Sequence, residues 1–215
     1  MENRQNYVIT VGRQFGSGGR ELGRRLAETF GIEFYDKRLL LEAATHAGMD
    51  VSFFERSDEK FPRFVSGTMA FNMAYNPMPW YTSSSISDES IYHDMATMML
   101  SLVERGPCVI VGRSADYILR DARVPVVNLF VHAPIDMCAR RIVERGDAPD
   151  MAKARQLAEK TNRLRANFYN FYTDKHWGEA SAYDICFDSS TLPLDDQVAL
   201  VAEYIRRRYG FDPAR

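Results

Sequence analysis

The chain switches between two hydrophobic periods. Tyr7-Val8-Ile9-Thr10-Val11 is an apolar run of strand length; from Glu21 to Phe30 the apolar positions Leu22, Leu26 and Phe30 recur at helical spacing, and Gly31 supplies a stop. Short apolar runs return at Glu33-Phe34-Tyr35, Pro107 to Val111, Val124 to Val131 and Tyr183 to Phe187. Helical patterns lie between most of them, including Ile91 to Arg105. This βαβα order predicts an α/β protein with three α/β/α layers, in which helices cover both faces of a parallel sheet.

Residues 57–90 break the rhythm. They are rich in Met, aromatic residues, Ser and Pro and hold no sustained period, so they read as an insertion or cap. Two uses stand side by side: a loop packed by its own aromatics or used at a dimer contact, and a cap on the substrate side. The Met-rich and aromatic stretch 64–81 makes a homodimer an expectation. A second special region spans 140–175, where Arg140, Arg141, Arg145, Lys153, Arg155, Lys160, Arg163 and Arg165 fall close together. Such a run is a solvated helical face by default. Its place after an apolar strand supports a basic lid over phosphates as the other reading. With 215 residues, the expected organisation is one domain over 1–215 carrying both features.

Charge narrows the class. The formal net charge is -2, which supplies no global basic field for nucleic acid, so any anion site must be local. Cys108, Cys138 and Cys186 are far apart and form no metal-ligand pattern, and they read as buried free thiols of a cytoplasmic protein. No apolar stretch reaches the length of a membrane span, and the N-terminal residues hold no apolar signal core. His46, His93, His132 and His176 are scattered, without spacing partners for a metal or a triad, and read as structural or surface residues.

Chemistry concentrates after the first strand, in GRQFGSGGRELG, residues 12–23. Gly16, Gly18 and Gly19 permit backbone dihedrals and close approaches that other residues do not. A strand feeding such a turn into a helix start favours an anion through exposed N–H groups and the helix dipole. The pattern GxxxxGK[ST] is not satisfied, because Gly19 occupies the lysine position. Arg20 is the first candidate to supply the missing charge and Arg13 the second, with pairing to surface acids as the alternative for both. A second cluster, Val111-Gly112-Arg113-Ser114-Ala115-Asp116, sits at a strand's carboxyl end, where ligands bind in open α/β sheets. Arg113 and Asp116 are therefore substrate-side candidates, against a helix-start reading in which Ser114 caps and Asp116 favours the dipole. Asp36, ahead of a helix starting at Lys37, is either a helix cap or an acid steering substrate.

Several blocks together resemble the cytidylate kinase-like branch of the P-loop nucleoside monophosphate kinases: ITVGRQFGSGGRELGRRLAETFG, FYDKRLL, CVIVGRSADYIL, NLFVHAP with CARRIVER, RANFYNFYTDKHWG and YDICFDSSTL. The resemblance implies a P-loop fold that uses ATP and Mg²⁺ and transfers the γ-phosphoryl group to a nucleoside monophosphate such as CMP. It implies that Gly16, Ser17, Gly18, Gly19 and Arg20 wrap the donor phosphates, that Arg113 contacts the acceptor and that Arg165 matches the arginine following the lid; the expected site adds Arg13 and Glu21 on the donor side and Asp36, Asp116 and Arg165 on the acceptor side. Arg140, Arg141, Arg145 and Arg155 would lie in or beside the lid, and Arg20, Arg113, Arg141, Arg145 and Arg165 would offset charge during transfer. Tyr172 and Trp177 read as packing residues. The departures are Gly19 for the lysine, Arg20 and Glu21 where a Mg²⁺-binding hydroxyl is expected, Lys37 after Asp36, Ser114 for the acid after the glycine-arginine pair, and Asn162 for an acid before Arg165. They keep open a kinase for a different small acceptor, and a nucleotide-binding or regulatory module without catalysis.

Overall fold

A computed structural model describes residues 6–46 and 88–213. The expected cap at 57–90 lies outside them except for residues 88–90, as do the proposed dimer stretch 64–81 and the side chain of His46.

Strand β1 (Val8–Arg13) runs into helix α1 (Gly19–Phe30), followed by β2 (Glu33–Tyr35), α2 (Lys37–His46), α3 (Asp88–Arg105), β3 (Cys108–Val111), the one-turn α4 (Ala115–Ile118), β4 (Val126–His132), α5 (Ile135–Glu144), α6 (Met151–Tyr172), β5 (Ile185–Asp188) and α7 (Leu194–Tyr209). The strands form one sheet of five in the order β2-β3-β1-β4-β5. Every pairing is parallel. Because β1 is central and the chain leaves it first toward β2 and β3, then crosses to β4 and β5, the carboxyl ends of β1, β3 and β4 open on the topological switch point.

The alternation within the strands builds two cores. Ile9, Val11, Val109, Val111, Val127, Leu129 and Val131 face α1 and α7, burying Leu22, Leu26, Phe30, Val201 and Ile205. Val8, Cys108 and Ile110 face the other way, onto Leu40, Met95, Met99, Leu102 and Leu119. Both faces of the sheet are thus dry, which is why β1 and β3 read as continuous apolar runs and not as alternating ones. A third cluster joins α5 and α6 through Ala139, Ile142, Ala154 and Ala158, with Phe15 of the β1–α1 loop packed on it. Helix α1 ends where the reading placed its stop: Gly31 is left-handed at φ 61°, and its N–H returns to the Glu28 carbonyl at 3.2 Å. The cysteines are free, with Cys108 and Cys138 buried and Cys186 only half-buried. No helix among the described residues is long and apolar enough to cross a membrane.

Candidate functional site

The β1–α1 loop is built by its neighbours. Gln14 is held on both sides of its Cα: its N–H donates to the Val131 carbonyl at 3.0 Å, and its side-chain Oε1 accepts from the Ala133 N–H at 3.2 Å. Phe15 N–H donates to Asn162 Oδ1 of α6 at 2.7 Å. The Ser17 carbonyl accepts from Arg141 Nη1 at 2.8 Å and from the Ser189 hydroxyl, and Arg141 Nη2 donates to the Ser189 carbonyl at 3.0 Å. Gly16 and Gly18 take φ values of 82° and 85°. A Cβ on Gly16 would stand 2.7 Å from the Cys138 carbonyl oxygen. With the Ser17 carbonyl anchored by Arg141 and Ser189, the loop leaves the N–H groups of Gly16, Gly18, Gly19, Arg20 and Glu21 donating to no described residue. That is the arrangement an anion satisfies at a helix start.

Three guanidiniums gather beside this cradle. Arg13 ends β1, Arg113 follows β3, and Arg165 reaches from α6, its Nη1 donating to the Arg13 carbonyl at 3.1 Å. Burial first, and then the positive charges of Arg165 and Arg113, hold the Arg13 guanidinium well below its ordinary range. Burial brings Arg113 down to about 10. Asp36 offsets part of the shift at Arg13, and perturbed cations gathered in a crevice are what an anion site requires. Among the described residues, Arg113 and Ser114 are the non-glycine residues with positive φ, at 61° and 51°. Strain of this kind clusters at binding and active sites.

The other candidates are disposed differently. Arg20, with its side chain 65% exposed, forms an ion pair with Asp36, Nη2 lying 2.6 Å from Oδ2. Asp36 caps α2 at the same time, its Oδ1 accepting from Arg38 and Leu39 N–H at 3.0 and 3.1 Å. Asp36 thus caps α2, and Arg20 pairs with this buried acid and not with a surface one. Burial would raise the Asp36 carboxyl, but the Leu39 N–H and the Arg20 guanidinium outweigh it and the group ends below its ordinary value. A depressed carboxyl stabilises the fold above its unfolded value, near pH 4, and the contribution disappears as pH falls through the folded value. Asp36→Asn is accordingly expected to flatten the acid limb of a urea-midpoint profile below about pH 4 and to leave its slope above pH 5 alone.

Glu21 turns to the surface and pairs with Arg24. Arg145 pairs with Asp147 at 2.8 Å, and the guanidiniums of Arg145 and Arg165 each lie 5.5 Å from the Phe15 ring centroid. Arg155 pairs with Asp136 at 2.7 Å, and Arg140 is exposed. Asp116 is buried against Tyr169, whose hydroxyl donates to Oδ2 at 2.6 Å, and burial raises its carboxyl. It binds α4 to α6. Ser114 stands at the N-cap position without a side-chain cap hydrogen bond, so the capping expected of it is not made. Trp177 packs edge-on against Phe130 at 5.2 Å and Tyr172 on Phe168 at 4.7 Å, as packing residues should.

Gln14, Asn162, Ser189 and Tyr169 brace the site and were not singled out from the sequence as bracing residues. Asn162 stood out only as a departure from an expected acid. Ser189 lies 172 residues from its Ser17 partner, and no local pattern announces such a pairing.

Mg²⁺ chemistry normally has a hydroxyl at the second helical position of this loop. Here that position is Arg20, already on Asp36, and the described residues contain no group of three or more His, Cys, Asp or Glu able to hold a metal. The side chains of this turn do not fit a protein-ligated Mg²⁺.

A parallel β2-β3-β1-β4-β5 sheet with a glycine loop after its central strand is a P-loop kinase fold. Shikimate kinase from Acinetobacter baumannii shares it with a TM-score of 0.51 at 14% identity, over 95% of either chain. A gluconokinase from Sinorhizobium meliloti does so with a TM-score of 0.50 at 16% identity, over 96% of this chain and 99% of its own. An uncharacterized protein from Eubacterium ventriosum is similar with a TM-score of 0.68 and 25% identity, over 94% of this chain and 99% of its own. The chain belongs to the cytidylate kinase-like family, whose model matches residues 8–191. It is also similar to cytidylate kinases of Methanopyrus kandleri, at 21% identity over 91% of each chain, and Pyrococcus furiosus, at 24% identity over 90% of this chain and 85% of the relative.

Proposed function

We propose that this protein transfers the γ-phosphoryl group of ATP to the phosphate of a nucleoside monophosphate, with CMP the first acceptor to test. The observation that carries the reading is the juxtaposition of undonated loop N–H groups with the guanidiniums of Arg13, Arg113 and Arg165 at one end of the sheet. An acceptor phosphate oxygen attacks the γ-phosphorus, the bond from that phosphorus to the β–γ bridging oxygen breaks, and ADP departs with the electron pair. Such a transfer asks the protein for position and positive charge and little else. The loop N–H groups hold the donor phosphates, and Arg113 and Arg165 hold the acceptor. Arg141 keeps the loop in shape through Ser17, and α5 with α6 forms the basic side of the site, the part read as a lid over 140–175. ATP with Mg²⁺ against a panel of nucleoside monophosphates, followed by ADP release, is the test. Turnover with one acceptor upholds the reading. ATP binding without turnover on any acceptor replaces it with the non-catalytic nucleotide module.

A further inference from the structure

The P-loop motif reads G-x-x-x-x-G-K, whereas residues 13–19 here read R-Q-F-G-S-G-G. The glycine of the first position and the cation of the seventh have changed places. The structure gives this exchange a steric basis. A Cβ on Gly19 would lie 2.6 Å from Arg13 Cβ, 3.2 Å from its Cγ and 3.2 Å from Val131 Cβ, so the Arg13 stem occupies the room a lysine at 19 would need. The guanidinium at the end of that stem passes over Gly112, where an added Cβ would meet Arg13 Nη1 at 1.8 Å and Cζ at 2.6 Å. Gly112 is left-handed at φ 80°, which closes the path to any larger residue twice over. A side chain at 13 and a lysine at 19 exclude one another, and only one arrangement of cation and glycine fits at a time.

We infer that Arg13 is the phosphate-binding cation of this loop, doing from the end of β1 what a lysine on the first turn of α1 does in the usual motif. This rests on the kinase reading for its chemistry and goes beyond it in assigning the charge. Arg20, the nearer candidate in sequence, is spent on Asp36 and its side chain is 65% exposed. Arg13 is half-buried at the switch point, beside Arg113 and Arg165. Its stem lies against Gly19 of the donor loop and its guanidinium over Gly112, the residue before Arg113, so one side chain touches both the loop and the end of β3. A planar guanidinium can engage two oxygens at once, which an ammonium cannot.

The test is a reversal of the exchange, read by ATP titration calorimetry and by ADP release with the acceptor panel. Arg13→Met keeps the stem and removes the charge, and should weaken ATP binding about 10- to 100-fold, the worth of a charge-assisted contact. Arg13→Gly combined with Gly19→Lys restores the usual motif and should recover at least about 10-fold of that loss. Gly19→Lys alone should melt well below the double variant, because the Arg13 stem is still in the way. Arg13→Met binding ATP as the wild type does, or a folded double variant as weak as Arg13→Met, overturns the assignment. If the double variant does not fold, Arg13→Lys decides: it retains affinity near the wild type if the charge matters and falls with Arg13→Met if it does not. Wild-type protein that turns over no acceptor while this binding pattern holds would remove the kinase reading and leave the assignment standing; turnover surviving in Arg13→Met would do the reverse.

Discussion

Gly16→Ala should cost about 2–5 kcal/mol, the sum of a left-handed residue gaining a Cβ and of overpacking against rigid backbone. The first part follows from φ 82° at Gly16. The second follows from the 2.7 Å approach its Cβ would make to the Cys138 carbonyl, which belongs to α5 and cannot rotate away as a side-chain tip would. For a chain of this size the loss corresponds to a melting temperature lower by roughly 4–20 °C. ATP binding should fall with it, since the loop must move away from α5 and the N–H groups move with it. Gly146→Ala is the control. Gly146 is also left-handed, at φ 78°, but has nothing within 4 Å of its Cβ position. It should lose only the conformational part, about 1–2 kcal/mol, and bind ATP unchanged. Equal losses in the two variants by scanning calorimetry would mean that the Cys138 contact carries nothing.

Arg113→Gly should move activity and stability in opposite directions. Removing a guanidinium that offsets developing charge lowers acceptor kcat/KM by about 10²–10³-fold. The fold, in contrast, should hold or gain. Arg113 sits at φ 61°, a conformation glycine adopts freely and other residues pay about 1–2 kcal/mol for. Its burial also depresses its charged form to about 10, a penalty present at every pH below that value and relieved only above it. A melting temperature equal to or above the wild type, together with the loss in kcat/KM, identifies a residue kept for function at a cost to the fold. A parallel fall in both would make Arg113 a structural residue.

The strands and helices were legible because their cause is local. Val8 to Val11 and Cys108 to Val111 are buried on both faces, so their apolar runs needed no knowledge of partners. Boundaries moved where a long-range bond intervened. The run from Tyr183 becomes β5 only at Ile185: Asp184 still donates its N–H to the Asn128 carbonyl at 2.8 Å, but the Asn128 N–H goes to the Asp184 carboxylate, also at 2.8 Å, and not to a backbone carbonyl. Helix α1 begins at Gly19, two residues ahead of the periodic pattern, since left-handed Gly18 at φ 85° ends the loop without a side-chain cap.

The site divides the same way. That a glycine-rich loop follows β1, that Arg113 stands at a strand end, and that an arginine-rich segment follows β4 were all readable from residue type and order, because glycine freedom and strand polarity are properties of short segments. Which arginine does what was not. Arg20 and Arg13 are equivalent as letters, and only packing separates them: exposed Arg20 reaches back to the buried Asp36, and Arg13 lies across Gly19 and Gly112. Arg141 looked like a lid residue and is a brace, since its partner Ser17 is 124 positions away. By itself the sequence determined the layers, the strand polarity and the anion-seeking loop, all of them consequences of periodicity and local dihedral freedom. The tertiary structure alone decided how the charges are shared, because that depends on which cations the sheet brings within reach of one another and which acids reach them first.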